Sequence, residues 1–125
     1  NGKGIVRAMK QLGEILEEIT DGLGIRFAAL ISRDGFVIEK SSSMGEAEGL
    51  AAARAAQLFS AAEAVGEELG NGSAKQIVTK YDNSLLIVDR LNSDTLLLTG
   101  VASEASMAWV QCSVKKYLPE INERL

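Results

Sequence analysis

Two nearly all-apolar segments in the second half of the chain most constrain how it can fold. They span residues 85–91 and 95–101, and only Asn92-Ser93-Asp94 separates them. Apolar residues at almost every position are typical of central strands in a sheet that is covered on both faces. Three further strands are predicted at 25–32, 36–41 and 75–81. The pair Asp34-Gly35 lies between the first two of these, which is a strong hairpin signal because glycine tolerates a positive φ.

Helical segments surround these strands. The first has apolar residues at three- and four-residue steps, namely Ile5, Met9, Leu12, Leu16 and Ile19. The second is predicted over about 44–69, with Ser43 and Glu46 as a capping box and Gly70-Asn71-Gly72 as its end. The last begins near Ser103 or Ser106, and Pro119 predicts a kink or a break followed by a short helix. The order is α-β-β-α-β-β-β-α, in a single domain over residues 1–125.

The second helix is apolar around much of its circumference. On a helical wheel one arc should lie on the sheet, and it contains Ala51, Ala55, Leu58, Phe59, Ala62, Val65 and Leu69. The opposite arc mixes polar side chains with Leu50 and several alanines. Small residues would let a second helix approach closely, so this arc is one candidate for a dimer contact. High helix propensity explains the alanines equally well.

Composition excludes several classes of active site. The chain has no histidine and one cysteine, Cys112, so it lacks the residues for a structural zinc site or for a triad of the Ser-His-Asp or Cys-His type. A net charge of −4 argues against binding to nucleic acid. No segment approaches the length of an apolar membrane span, and a lone cysteine fits a reducing cytoplasm. We therefore predict a cytoplasmic protein that is not an enzyme and has no catalytic, cofactor-binding or metal-binding residues, although carboxylates alone could bind Mg²⁺ or Ca²⁺.

The chain resembles the Roadblock/dynein light chain family along essentially its whole length. The resemblance rests on the hairpin at residues 27–38, on the long Ala-rich helix that ends in Glu68-Leu69-Gly70, on the two apolar strands split by Asn92-Ser93-Asp94, and on the closing amphipathic helix. The prokaryotic branch that is similar to gliding protein B matches most closely. Pro119 departs from the family pattern.

This resemblance implies a profilin-like α+β fold, a three-layer α/β/α sandwich. A five-stranded antiparallel sheet would carry the first and last helices on one face and the long helix on the other. It also implies a homodimer, in which the strands at 75–81 pair into one sheet and the long helices pack side by side. The predicted interface comprises Leu50, Ala53, Ala56, Gln57, Ser60, Ala64, Gln76, Val78 and Lys80.

Family members bind Ras-like small GTPases, so the resemblance implies a homodimeric regulator that activates or localises such a GTPase without chemistry of its own. The predicted docking residues are Arg54, Gln57, Glu63 and Glu67 on the paired long helices, with Trp109 as the anchor of a competing surface. Arg54 has an alternative role as a solvated residue or an intra-dimer ion pair. The alternative function is a structural adaptor or scaffold subunit of the dynein-light-chain or Ragulator type. A small-molecule sensor would need an internal cavity.

Overall fold

A computed structural model describes residues 11–22, 24–103 and 107–125. Its helices are α1 (Leu12–Thr20), α2 (Glu46–Glu68), α3 (Met107–Lys115) and α4 (Leu118–Arg124). Its strands are β1 (Ile25–Ser32), β2 (Val37–Lys40), β3 (Gln76–Lys80), β4 (Leu85–Arg90) and β5 (Thr95–Val101). The predicted helical positions Ile5 and Met9 and the candidate cap Ser106 lie outside the described residues.

The five strands form one antiparallel sheet in the order β2-β1-β5-β4-β3. Every residue of β5 is buried, as predicted for a central strand, because β5 lies between β1 and β4 and both of its faces are covered. The strands β2 and β3 form the two edges of the sheet. Both edge strands are more exposed than β5, and β2 is the shortest of the five.

Two apolar clusters make the fold a three-layer α+β sandwich, as the resemblance implied. One cluster joins α1, α3 and α4 to one face of the sheet through Ile15, Val110, Ile121 and neighbouring strand residues such as Leu30 and Leu97. The other joins α2 to the opposite face, where Phe59 is completely buried. Alternation along each strand sends successive side chains into the two clusters.

The turn between β1 and β2 is a tight hairpin, as the Asp-Gly pair predicted. The N–H of Ser32 donates to the carbonyl of Phe36 at 2.8 Å, and the N–H of Gly35 donates to the carbonyl of Ser32 at 2.9 Å. Gly35 has a φ of +95°, and a Cβ at this position would lie 2.9 Å from the Cα of Ala53. The turn therefore requires glycine for its conformation and for its close approach to α2.

The start of α2 differs from the predicted capping box. The N-cap is Gly45, and its N–H donates to the carboxylate of Glu48 at 3.1 Å. The hydroxyl of Ser43 instead lies 2.9 Å from that of Ser41. The prediction of a Ser43–Glu46 box is therefore wrong by two residues, because a second acidic residue at Glu48 offers the same spacing from Gly45.

The last helix breaks at Pro119, as predicted. Residues 116–117 form a turn between α3 and α4, and Pro119 lies in the first turn of α4, where its missing N–H disrupts no helical hydrogen bond. The apolar pattern continues across the break, since Val110 and Val114 of α3 and Ile121 of α4 are all buried in the same cluster.

Replacing Gly35 by alanine should lower the free energy of unfolding by roughly 2–3 kcal/mol, because a side chain at positive φ is strained and this one would also crowd Ala53. Gly70 is a matched control, since its φ is +69° but its Cβ would meet nothing within 4 Å. We expect Gly70→Ala to cost about 1 kcal/mol. Urea denaturation compares the two variants, and equal losses would show that the contact with Ala53 contributes nothing.

Candidate protein-interaction surface

The helix α2 touches the sheet through a narrow stripe of mostly small residues. The buried positions are Ala52, Ala55, Ala56 and Phe59. Small side chains allow the helix axis to lie close to the strands, and Phe59 fills the remaining space in the cluster with β1, β4 and β5. The sheet-facing arc predicted from the helical wheel is therefore correct for Ala55 and Phe59.

That predicted arc is wrong for its larger members. Leu58 is 42% exposed, Val65 is 58% exposed and Leu69 is 68% exposed, and Ala51 is exposed as well. Apolar residues span more of the helix than the sheet can cover, so the wheel could not locate the centre of the contact. We call these four residues the apolar flank.

Contacts at the hairpin show which way the apolar flank points. Ala53 lies against the turn at Gly35. The apolar flank lies about half a turn around the helix from Ala53, on the side away from that turn. On the face of the sheet that α2 covers, Ile77 of β3 and Leu86 of β4 are only partly buried against the α2 cluster. Apolar residues of α2, β3 and β4 on this face therefore remain partly exposed.

The predicted interface residues of α2 separate into three groups. Leu50, Gln57, Ser60 and Ala64 are all exposed. Ala53 is exposed but lies on the hairpin side. Ala56 is 2% exposed and packs on the sheet of its own chain, so its assignment to a dimer interface is wrong. The helical wheel misplaced Ala56 for the same reason as the apolar flank, because the residues that contact the sheet lie further around the helix than the wheel predicted.

At the sheet edge, Gln76 and Lys80 are exposed and Val78 is partly buried in the cluster on the α1 face. The amide nitrogen of Gln76 donates to the carboxylate of Asp89 on β4 at 2.7 Å. Burial raises the pKa of Asp89 above its ordinary value, and the hydrogen bond from Gln76 opposes that shift. The sequence carries a signal for this hydrogen bond, since Asp89 is the one carboxylate in a mostly apolar strand.

The outer face of α2 carries the polar residues predicted to bind a partner. The guanidinium of Arg54 donates to the side-chain oxygen of Gln57 at 3.3 Å, and both residues are exposed on the side away from the sheet. Glu67 is exposed too. These groups lie on a rigid 23-residue helix, which holds their relative positions.

Glu63 does not belong with them. Its side chain is only 23% exposed and forms an ion pair with Arg33 at the hairpin. The guanidinium of Arg33 also lies 5.2 Å from the centre of the Phe59 ring and donates to the carbonyl of Ser93 at 3.3 Å. The prediction that Glu63 is an accessible docking residue is therefore wrong, because its position on α2 faces the strand ends.

Trp109 lies on α3, on the opposite side of the sheet from α2. It is 56% exposed, while Val110 and Val114 of the same helix point into the core. Trp109 and Arg54 thus occupy opposite faces of the chain and cannot contribute to one site on a single protomer.

Among the described residues, no group of three acidic or cysteine side chains is placed to hold a metal ion. Within the same ranges, no helix has both the length and the hydropathy required to cross a bilayer.

The comparisons with known proteins place the chain in a family. The model of the Roadblock/LC7 domain matches residues 11–100. The chain belongs to the Roadblock/LC7 domain family. A comparison with curated proteins finds no match.

Solved structures have the same fold. A Roadblock/LC7 domain from Streptomyces avermitilis is 26% identical with a TM-score of 0.69, and the match covers 87% of this chain and 98% of that one. The gliding protein MglB from Thermus thermophilus is 24% identical with a TM-score of 0.77, covering 88% and 84%. Profilin IA from Acanthamoeba castellanii is 15% identical with a TM-score of 0.62, covering 92% and 100%. The profilin-like Roadblock fold implied by the sequence is confirmed.

In this Roadblock domain, Glu63 should contribute to stability whereas Glu67 should not. We expect Glu63→Gln to lower the free energy of unfolding by about 1 kcal/mol, because it removes the carboxylate from a partly buried arginine. Glu67→Gln is the matched control on the same helix and should change stability by less than about 0.5 kcal/mol. Chemical denaturation of both variants checks this, and a similar loss in both would remove the distinction between them.

Proposed function

We propose that this Roadblock domain is a homodimer that binds and regulates a Ras-like small GTPase and performs no chemistry of its own. The observation that carries the proposal is the exposed apolar flank of α2, in a chain whose sheet also has β3 as an edge strand. Isolated exposed apolar residues are common, but a contiguous row of them marks an interaction surface.

A second copy of the chain is the partner that fits both features at once. An unpaired edge strand is an aggregation hazard that pairing with a copy of itself removes. A two-fold axis beside β3 would extend the sheet across both protomers and bring the two apolar flanks together. The family resemblance implies the same arrangement.

The paired α2 helices then form a platform with Arg54 and Gln57 on its outer face. Dimerisation doubles the polar surface available to a partner, and the helices hold it rigidly. Family members bind Ras-like GTPases, so we infer that the GTPase docks on this platform. A Ras-like GTPase of the gliding-protein A type is the expected partner.

An adaptor is the second candidate, and the position of Trp109 favours it. An exposed tryptophan on the face opposite α2 offers a separate docking point, and aromatic anchors are enriched in protein interfaces. A dimer with docking surfaces on both faces could tether two different proteins without affecting nucleotide turnover.

Val65→Asp should convert the dimer to a monomer at micromolar concentration, because it places a charge in the centre of the apolar flank. Ser60→Asp is the matched control, since Ser60 is exposed on the same helix but lies on the side opposite the apolar flank. Sedimentation velocity measures both. A wild-type monomer would overturn the dimer, whereas a monomer from Ser60→Asp alone would restore the interface predicted from the helical wheel.

Arg54→Glu should weaken binding to the GTPase loaded with a non-hydrolysable GTP analogue by at least about tenfold, while Trp109→Ala leaves binding unchanged. Titration calorimetry measures affinity, sedimentation checks that each variant is still a dimer, and turnover assays show whether hydrolysis changes. Weakened binding by Trp109→Ala together with unchanged binding by Arg54→Glu would place the GTPase on the α3 face. Equal binding by both variants and the wild type favours the adaptor.

A further inference from the structure

A small cavity lies beneath α3, on the face of the sheet opposite α2. Its volume is about 70 Å³, roughly half that of an apolar cavity that admits benzene. The strands line it with polar residues, among them Asp89 of β4 and Thr99 of β5. The helices line it with the apolar residues Val114 and Leu118. A molecule of about three non-hydrogen atoms would fill this space.

The hydroxyl of Thr99 is a buried polar group without a partner. The residue has no exposed surface, and its Oγ1 makes no hydrogen bond within the part of the chain that the structure describes. Leaving a buried hydroxyl unpaired costs free energy, because the same group is hydrated in the unfolded chain. Buried polar groups are nearly always paired, so we expect a polar molecule in the cavity that Thr99 lines.

Asp89 contributes a carboxylate to the same cavity and is only partly exposed. One of its oxygens accepts the hydrogen bond from Gln76 at 2.7 Å. Among the described residues, no lysine or arginine forms an ion pair with it. Lys115 also lines the cavity, but this residue is exposed to solvent. Burying a carboxylate without a cation is unfavourable, so a positively charged group in the cavity would be stabilised.

Asp89 and Thr99 are close enough to hold one small group between them. In the pairing of β4 with β5, Asp89 lies opposite Leu97, and Thr99 lies opposite Ile87. Asp89 and Thr99 are therefore diagonal neighbours on the same face of the sheet, about 7–8 Å apart. A donor atom that lies about 2.9 Å from an oxygen of each residue fits between two side chains at that spacing.

A primary ammonium group matches these acceptors. It carries one positive charge and three N–H donors, and primary amines are protonated near neutral pH. Asp89 would accept one hydrogen bond and Thr99 a second, and the side-chain oxygen of Gln111 on α3 is available at the same cavity for the third. A magnesium or calcium ion would fit poorly, because it needs six or more oxygen ligands and the wall formed by Val114 and Leu118 supplies none.

We propose that this cavity binds a small primary amine, with the ammonium group between Asp89 and Thr99 and the short alkyl group against Val114 and Leu118. The exposed Lys115 lies beside the site and weakens cation binding by repulsion through solvent, which screens most of it. The site lies on the α3 face, so it requires neither the proposed homodimer nor a GTPase on the α2 face. It supplies the internal cavity that a small-molecule sensor would need.

Ethylammonium chloride is the probe, because its cation has the size of the cavity. We expect saturable shifts of the NMR amide signals of the lining residues, with a dissociation constant of about 1 mM or weaker, as befits so small a ligand. Ethanol and formate match its size but are neutral and anionic, and tetramethylammonium has the charge without N–H donors, so none of the three should bind. Equal binding of ethanol, preferential binding of formate, or no saturable shift with ethylammonium would overturn the proposal.

Asp89→Asn tests the charge in the cavity while keeping the shape of the side chain and an oxygen that can accept from Gln76. It should weaken ethylammonium binding at least about tenfold, because a charge-assisted hydrogen bond is lost. Asp82→Asn is the matched control, since it changes the net charge equally at an exposed position between β3 and β4, and it should leave binding unchanged. An equal loss in both variants, or no loss in Asp89→Asn, would contradict the site.

Thr99→Val separates binding from folding, because it replaces the unpaired hydroxyl with a methyl group of similar size. It should weaken ethylammonium binding about three- to tenfold, while the midpoint of urea denaturation stays the same or rises. Lys115→Met should tighten binding about twofold, because it removes a nearby positive charge. Unchanged binding by Thr99→Val, or weaker binding by Lys115→Met, would overturn the proposed position of the ammonium group.

Discussion

The close approach of α2 to the sheet is the contact on which the surface of this protein depends. Ala52, Ala55 and Ala56 bring the helix down onto the strands, and Phe59 fills the space between them. A contact made by such small residues covers only a narrow stripe of the helix. The larger apolar residues Leu58 and Val65 consequently remain outside the core. The same close contact therefore attaches α2 to the sheet and leaves the apolar flank exposed.

The hairpin fixes the rotation of α2 about its own axis. Gly35 admits the backbone of Ala53, and Arg33 pairs with Glu63 while lying over Phe59. Both contacts hold α2 against residues of the turn between β1 and β2. With that side held, the apolar flank lies on the part of the helix that faces away from the turn. The short turn thus determines which residues of α2 are available to another molecule.

The two edges of the sheet differ in how they are protected. The edge strand β2 is short and has an irregular register with β1, which makes it a poor template for pairing. The strand β3 is regular along all five of its pairs with β4, and the side chain of Gln76 on this strand donates to Asp89 of β4. A regular edge strand is suited to pairing with a specific partner.

The amino-acid sequence by itself determined the elements and their order. Residues 95–101 could only be a covered strand, Asp34-Gly35 specified the hairpin, and Pro119 divided the last helix, because each of these signals is local. The same sequence could not determine the rotation of α2, since alanines and leucines are distributed around most of that helix and a helical wheel gives them equal weight. Ala56, Glu63 and Leu58 were therefore assigned to the wrong surroundings. Only the tertiary structure decided where these three residues lie. It did so through steric contacts between α2 and the turn that joins β1 to β2. Such contacts depend on interatomic distances, which the periodicity of a sequence does not encode.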